Sequence, residues 1–176
     1  RTTLNGEGLQ HQDGHSLLHA STVPSCRAWD PAYAYELATI IQHGIDEMWG
    51  QGQDVFHYVM LYNQNEQQPA KPAGIDADLI RGAYRLSEAS AGDGPMIRLL
   101  GSGPILSHVQ EAAEILAGRG VRAEIWSVPS YGELRRAGLA AERATRLDPQ
   151  NPQSAFVAEC FGDETTTVAA SDYIAA

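Results

Sequence analysis

Met96-Ile-Arg-Leu-Leu-Gly-Ser-Gly-Pro-Ile-Leu-Ser-His-Val-Gln-Glu-Ala-Ala-Glu-Ile-Leu-Ala-Gly-Arg-Gly-Val-Arg-Ala-Glu-Ile-Trp-Ser-Val128 decides the fold class. Met96–Leu100 is short and apolar, as a buried strand is. Gly101-Ser102-Gly103-Pro104 turns the chain, and Ile105, Val109, Ala112 and Leu116 then recur at helical spacing. Gly118 and Gly120 close that helix, and Ala123–Val128 reads as a second strand. A strand, helix, strand unit of this kind requires parallel strands joined by a right-handed crossover.

The same pattern extends outward. Downstream, a helix is expected around Glu133–Arg143, with short strands near Ala155–Glu159 and Thr166–Ala170. Upstream, Cys26–Trp29 reads as a strand ended by Asp30-Pro31. Asp30 suits an N-cap, and Pro31 the first helical position, where its missing N–H costs nothing. Tyr33, Leu37, Ile40, Ile41 and Met48 mark a helix through Trp49, stopped by Gly50-Gln51-Gly52. Residues 55–62 are dense in β-branched and aromatic types and predict a buried strand. Asn63–Gly74, with Pro69 and Pro72, reads as a linker, followed by a weakly patterned segment over 75–86 and a loop at Ser87–Pro95. Residues 1–24 read as a glycine- and histidine-rich loop with a short helix at His15–Ala20. Tyr33, Tyr35, Ile45 and Trp49 cannot share one helical stripe, so a partner surface and self-association are expected.

Composition sets the boundaries. The chain has 176 residues, 43% hydrophobic and 19% charged, which excludes a disordered chain. No apolar run is long enough to cross a membrane. Lys plus Arg is 12 against 22 Asp plus Glu, a net charge of −10, which makes nucleic acid and anionic membranes poor partners. The two cysteines, Cys26 and Cys160, form no disulfide framework, so a reducing, cytoplasmic setting is expected. The sequence opens at Arg1 and stops just after the last expected strand, and it reads as a piece of a longer polypeptide.

The densest polar cluster is Gly6-Glu7-Gly8-Leu9-Gln10-His11-Gln12-Asp13-Gly14-His15. Histidine is the usual proton shuttle near neutral pH, and glycines allow the backbone close to a ligand. His11, His15 and His19 repeat every four residues, a spacing that would line one helix face and invite a metal; Gly14 weakens that helix, and no metal site is assigned. Gly101-Ser102-Gly103 is half a dinucleotide fingerprint, but Leu106 stands where the third glycine belongs. Gly92-Asp93-Gly94 has the form of a magnesium–diphosphate motif. It precedes a strand instead of following one, and no asparagine lies between Asn65 and Asn151, so it reads as a turn. Neither Ser102 nor Ser130 has a nucleophile-elbow context.

Arg1–His15, Asp30-Pro-Ala-Tyr-Ala-Tyr-Glu-Leu37, Leu99-Leu-Gly-Ser-Gly103, Trp126-Ser-Val128, Glu133-Leu-Arg-Arg136 and Ala170-Ser-Asp-Tyr173 together carry a resemblance over nearly the whole chain. The sequence resembles the homodimeric decarboxylating component of bacterial pyruvate dehydrogenase, within the transketolase-like, thiamin diphosphate-dependent family. It departs from the usual pattern at Gln64 and Glu66, at Gly132, and at Ala144-Thr145 before Leu147-Asp148-Pro149.

The resemblance implies an α/β architecture in two parts. Residues 1–70 would be the C-terminal part of a pyrimidine-binding α/β domain, 71–95 a linker, and 96–176 an incomplete transketolase C-terminal-like α/β/α domain with a largely parallel sheet. It implies a parent enzyme that decarboxylates pyruvate or a close 2-oxoacid on thiamin diphosphate with magnesium and passes the acyl group to lipoamide. The diphosphate and magnesium site would lie upstream, so this piece alone is expected to be inactive. His11 would face the active centre, with His15 a second candidate. The implied partners are a second subunit, the lipoyl domain of the acyltransferase component and the small 2-oxoacid substrate. A transketolase-type enzyme acting on sugar phosphates, and a non-catalytic binding module on the same fold, remain open as alternatives.

Overall fold

The structure, a computed structural model, describes residues 8–174. The opening stretch Arg1–Glu7 of the glycine-rich motif lies outside the described residues. A single turn at Leu9–His11 and helix α1 (Ser16–Ser21) lead to strand β1 (Cys26–Trp29). Helix α2 (Ala34–Ile45) runs into a wider, π-type turn at Asp46–Gly50 and is followed by β2 (Phe56–Val59). The two strands pair in parallel, Cys26 opposite Phe56 and Trp29 opposite Val59.

Helix α3 (Asp76–Arg81) and strand β3 (Tyr84–Ser87) come next, then β4 (Met96–Gly101), α4 (Ile105–Ala117) and β5 (Arg122–Ser127). Helices α5 (Tyr131–Leu147) and α6 (Phe156–Phe161) precede β6 (Thr166–Ala170). The second sheet has the order β3-β5-β4-β6, and only β3 runs antiparallel to its neighbour. One core packs Leu99 and Ile125 against Leu106 and Val109 of α4. Another packs Leu100 and Val128 against Leu134 of α5 and Phe156 of α6. Helices therefore cover both faces of a largely parallel sheet, as expected for the second part.

Several local expectations are corrected. Residues 71–95, read as a linker, hold α3 and β3. Leu79 and Tyr84 sink into a core with Trp29 and Ile40, so this segment joins the two sheets by burial. Gly82, at φ +110°, makes the turn between α3 and β3; a Cβ there would lie 2.5 Å from the Ser130 carbonyl oxygen. Residues 155–159, read as a strand, are helical in α6: Phe156 with Cys160, and Val157 with Phe161, are helical neighbours four apart. Phe161 meets the Trp126 ring edge-on at 4.9 Å. The stretch 55–62, expected to be buried, forms only the four-residue β2, with Phe56 and Tyr58 exposed.

Asp30 does not cap α2. The helix begins at Ala34, and Glu36 reaches back to accept hydrogen bonds from the N–H groups of Ala32 (2.5 Å) and Tyr33 (3.3 Å). Asp30 is instead buried at the joint between the sheets. Its N–H donates to the Pro129 carbonyl (2.7 Å), its carbonyl accepts from the Gly103 N–H (3.0 Å), and its carboxylate accepts from the Ser102 hydroxyl (2.9 Å).

Candidate active-site loop

The two histidines singled out from sequence sit on one loop before α1. His11 closes the Leu9–His11 turn, its N–H bonded to the Gly8 carbonyl at 3.2 Å, and it is exposed to solvent. His15 immediately precedes α1 and is exposed too. His11, His15 and His19 do not share a helix face, because the chain turns at Asp13-Gly14 between the first two. Only the His15 and His19 rings approach each other, at 6.5 Å.

Asp13 builds the turn. Its carboxylate accepts from the backbone N–H groups of His15 (3.0 Å) and Ser16 (2.9 Å) and from the Ser16 hydroxyl. Burial pushes the carboxyl pKa up, but the bonds from Ser16 and His15 outweigh it and leave it below the ordinary value. On the other side of the loop, the Ile174 N–H donates to the Gly14 carbonyl at 3.1 Å. That bond ties the segment after β6 to the histidine loop.

A separate buried carboxylate, on α2, is one that the sequence reading did not single out. Glu36 is 0% exposed. Besides the two backbone donors, it accepts from the hydroxyls of Ser127 (2.6 Å) and Tyr84 (2.7 Å), and Tyr84 meets the Tyr35 hydroxyl at 2.6 Å. Desolvation raises the Glu36 pKa, opposed by those four hydrogen bonds. Burial also pushes the Tyr35 hydroxyl up to about 12. The available signal was an acidic residue on the apolar stripe of α2, three positions after a helix start. The network joins α2 to β3 and β5 and touches neither His11 nor His15.

The Gly101-Ser102-Gly103 turn serves packing. A Cβ on Gly101 would lie 2.9 Å from Val109 Cγ2 and 3.0 Å from Leu106 Cα, so the glycine lets α4 settle on β4. Among the described residues, no three His, Cys, Asp or Glu side chains come together to hold a metal ion. What the loop does offer is two exposed imidazoles on a backbone fixed from both sides, suited to donate a proton or stabilise negative charge on a small ligand.

Two family models match along the chain. Residues 1–69 match the family model described as pyruvate dehydrogenase E1 component middle domain, and residues 82–176 match the transketolase-like TK C-terminal domain. The pyruvate dehydrogenase E1 component of Pseudomonas aeruginosa is 52% identical over 177 residues, covering 99% of this chain and 20% of that protein. The proteins of the same name from Escherichia coli K12 and Mycolicibacterium smegmatis are 45% and 41% identical, with similar coverage. The chain thus spans about a fifth of the length of these relatives. Among solved structures, a Pichia stipitis transketolase mutant superposes with a TM-score of 0.68 over 96% of this chain and 22% of its own, at 20% identity. A Leishmania mexicana transketolase gives 0.63 at 16% identity, over 96% of this chain and 21% of its own. Those two likenesses establish the fold, and the family model over residues 82–176 carries the rest: the chain belongs to the transketolase-like family.

Proposed function

We propose that this chain is the part of a 2-oxoacid dehydrogenase E1 component that presents His11 and His15 to the substrate. The parent decarboxylates pyruvate or a close 2-oxoacid and passes the acyl group to the lipoyl arm of an acyltransferase component. Thiamin diphosphate with magnesium, held by residues outside the described part of the chain, would supply the nucleophilic chemistry of the decarboxylation. His11 supplies the hydrogen bond or proton needed beside the substrate carboxylate or the oxygen that becomes negative. His15 plays a lesser, supporting role.

The carrying observation is the 52% identity over 99% of this chain to a protein named pyruvate dehydrogenase E1 component. Two features support the setting. Cys26 and Cys160 are unpaired, as suits a cytoplasmic protein. No helix among the described residues is long and apolar enough to cross a membrane. An apolar face on α2 and the turn after it, with Trp49 89% and Ile45 59% exposed, fits a surface against a second subunit. The parts of the parent divide as a pyrimidine-binding portion up to about residue 70 and a transketolase C-terminal portion that follows it.

The test is a transplant. The matching segment of the Pseudomonas aeruginosa relative is replaced by this chain, and pyruvate-dependent turnover is measured with thiamin diphosphate and magnesium. Turnover comparable to the unaltered relative is expected. A folded, dimeric chimera that binds the cofactor but does not turn over pyruvate overturns the reading.

A further inference from the structure

The histidine loop is fixed in two places. Within the loop, the Asp13 carboxylate collects the His15 and Ser16 N–H groups and the Ser16 hydroxyl. From across the molecule, the Ile174 N–H takes the Gly14 carbonyl at 3.1 Å, and a Cβ on Gly14 would lie 3.6 Å from Ile174 Cγ2. Gly14 therefore stands between a side-chain anchor on one flank and a main-chain anchor on the other. The two anchors come from opposite ends of the sequence, one beside α1 and the other after β6.

We propose that Asp13 and the Ile174 backbone form a two-sided clamp that positions the His11–His15 loop, Asp13 acting as a positioning residue and the segment after β6 as the brace. This inference rests on the reading of His11 and His15 as groups that act on a 2-oxoacid. The physical reason is chemical geometry. A donor that stabilises developing charge must be held within a fraction of an ångström, and a displacement of about 1 Å costs on the order of a hundredfold in rate. A loop whose two imidazoles are exposed, with glycines at 8 and 14, depends on such anchors to hold its position. The clamp supplies that restraint with one carboxylate and one peptide N–H.

The clamp also couples the two sheets at the site. Ile174 follows β6 by four residues, and β6 pairs with β4 at the centre of the second sheet. The histidine loop belongs to the first part of the chain. The loop thus takes its position from an element of the other part, so a change that shifts β6 moves the histidines without touching them.

The test uses the active chimera described above, with four variants. Asp13→Ala removes the side-chain anchor, and Asp13→Asn keeps an oxygen acceptor for the two N–H groups. Ile174→Pro removes the main-chain donor, and Ile174→Ala keeps it. Steady-state kinetics with pyruvate and hydrogen exchange at the His15 and Ser16 amides are measured on each, with exchange at the residue 174 amide followed in the variants that keep it. Asp13→Ala and Ile174→Pro are expected to lower kcat by about tenfold or more with little change in KM. Both are also expected to speed exchange at the His15 and Ser16 amides, Asp13→Ala by removing their acceptor and Ile174→Pro by loosening the loop that carries them. Asp13→Asn and Ile174→Ala stay within about threefold of the parent chimera, a spread small beside the loss a misplaced donor causes. Wild-type exchange and kcat in both Asp13→Ala and Ile174→Pro overturn the clamp while leaving the active chimera as support for the function. Faster exchange with unchanged kcat also overturns it, because the loop would then move without consequence. A folded chimera without activity overturns the functional reading itself, and the exchange data then still report whether the two anchors hold the loop.

Discussion

The indole N–H of Trp29 donates to Nδ1 of His57 at 2.9 Å, and that bond fixes the imidazole tautomer. With Nδ1 accepting, Nε2 carries the proton and donates to Glu47 at 3.0 Å. Arg27 then links Glu47 to Glu133 of α5, at 3.3 Å on each side. His57→Ala leaves the indole N–H of a Trp29 that is 1% exposed without its acceptor. Equilibrium urea unfolding should show a loss of about 1–3 kcal/mol, the cost of stranding one buried donor. In the chimera, the same substitution should leave the pH profile of kcat unchanged, since His57 acts through structure. A variant as stable as the parent sinks this assignment.

Glu36 is the more severe case. Glu36→Ala strands two backbone N–H groups and two hydroxyls at once. A loss of about 3 kcal/mol or more is expected in the same unfolding measurement. Its carboxyl is raised by burial, so the folded state holds its proton to higher pH than the unfolded chain does. Its contribution is therefore fully present below the ordinary carboxylate pKa and declines as pH rises above it. Glu36→Gln should flatten that part of the stability profile, which urea midpoints taken between pH 4 and pH 8 will reveal.

Asp163 titrates in the opposite sense. Arg98 grips it with two hydrogen bonds of 3.0 Å, and the Arg98 bonds hold its pKa down at about 2. Its contribution is present above the ordinary pKa of 3.8 and disappears as pH falls from there through about 2. NMR titration of the Asp163 carboxyl carbon should place its midpoint well below that of a free aspartate. An Asp163→Asn variant should lose the acid-side slope. An ordinary midpoint would show that the pair does not persist in solution.

His11→Ala in the chimera should lower kcat by about 10²–10⁴-fold, the range for a lost general acid or charge-stabilising donor. The melting temperature should barely move, because His11 is exposed and buries little. His15→Ala should be milder, and His43→Ala should leave kcat near the parent value. If His11→Ala retains more than about half of kcat, well outside the range for such a donor, His11 is not catalytic.

Trp49, Ile45 and Ile41 extend one apolar face along the outer side of α2 and its terminal turn. The 176-residue chain should self-associate in sedimentation velocity as concentration rises, and Ile45→Glu with Trp49→Glu should abolish it. A parent chain that stays monomeric at high concentration counts against this surface as an interface.

Much of the fold could be read from sequence, for reasons particular to each element. The β4–α4–β5 unit is legible because apolar periodicity and glycine punctuation agree there. The C-terminal short helix was misread because Ala155–Glu159 is too short to separate helix from strand by period alone. The segment over 75–86 is weakly patterned in sequence, within the expected 71–95 linker, because Ile75, Leu79 and Tyr84 are too sparse to form a pattern. Their apolar character matters only once Trp29 and Ile40 arrive from another element. For the site, the histidines stand out by composition and resemblance. The anchors do not, since Asp13 looks like any loop aspartate and the Ile174 contribution is a backbone N–H.

The joint between the sheets is made largely to main-chain atoms. The Arg136 guanidinium donates to the carbonyls of Pro24 (2.8 Å) and Cys26 (2.9 Å), the Ser130 hydroxyl to the carbonyl of Ala28 (2.7 Å), and the Asp30 N–H to that of Pro129. A peptide carbonyl is present whatever side chain accompanies it. These particular bonds therefore survive a change of side chain at Ala28 or Pro129, whereas Arg136 and Ser130 cannot be exchanged freely. A designer grafting one half onto another relative would need to carry over these two donors together with the side-chain pairs Asp30–Ser102, Glu36–Ser127 and Arg27–Glu133 that cross the same seam.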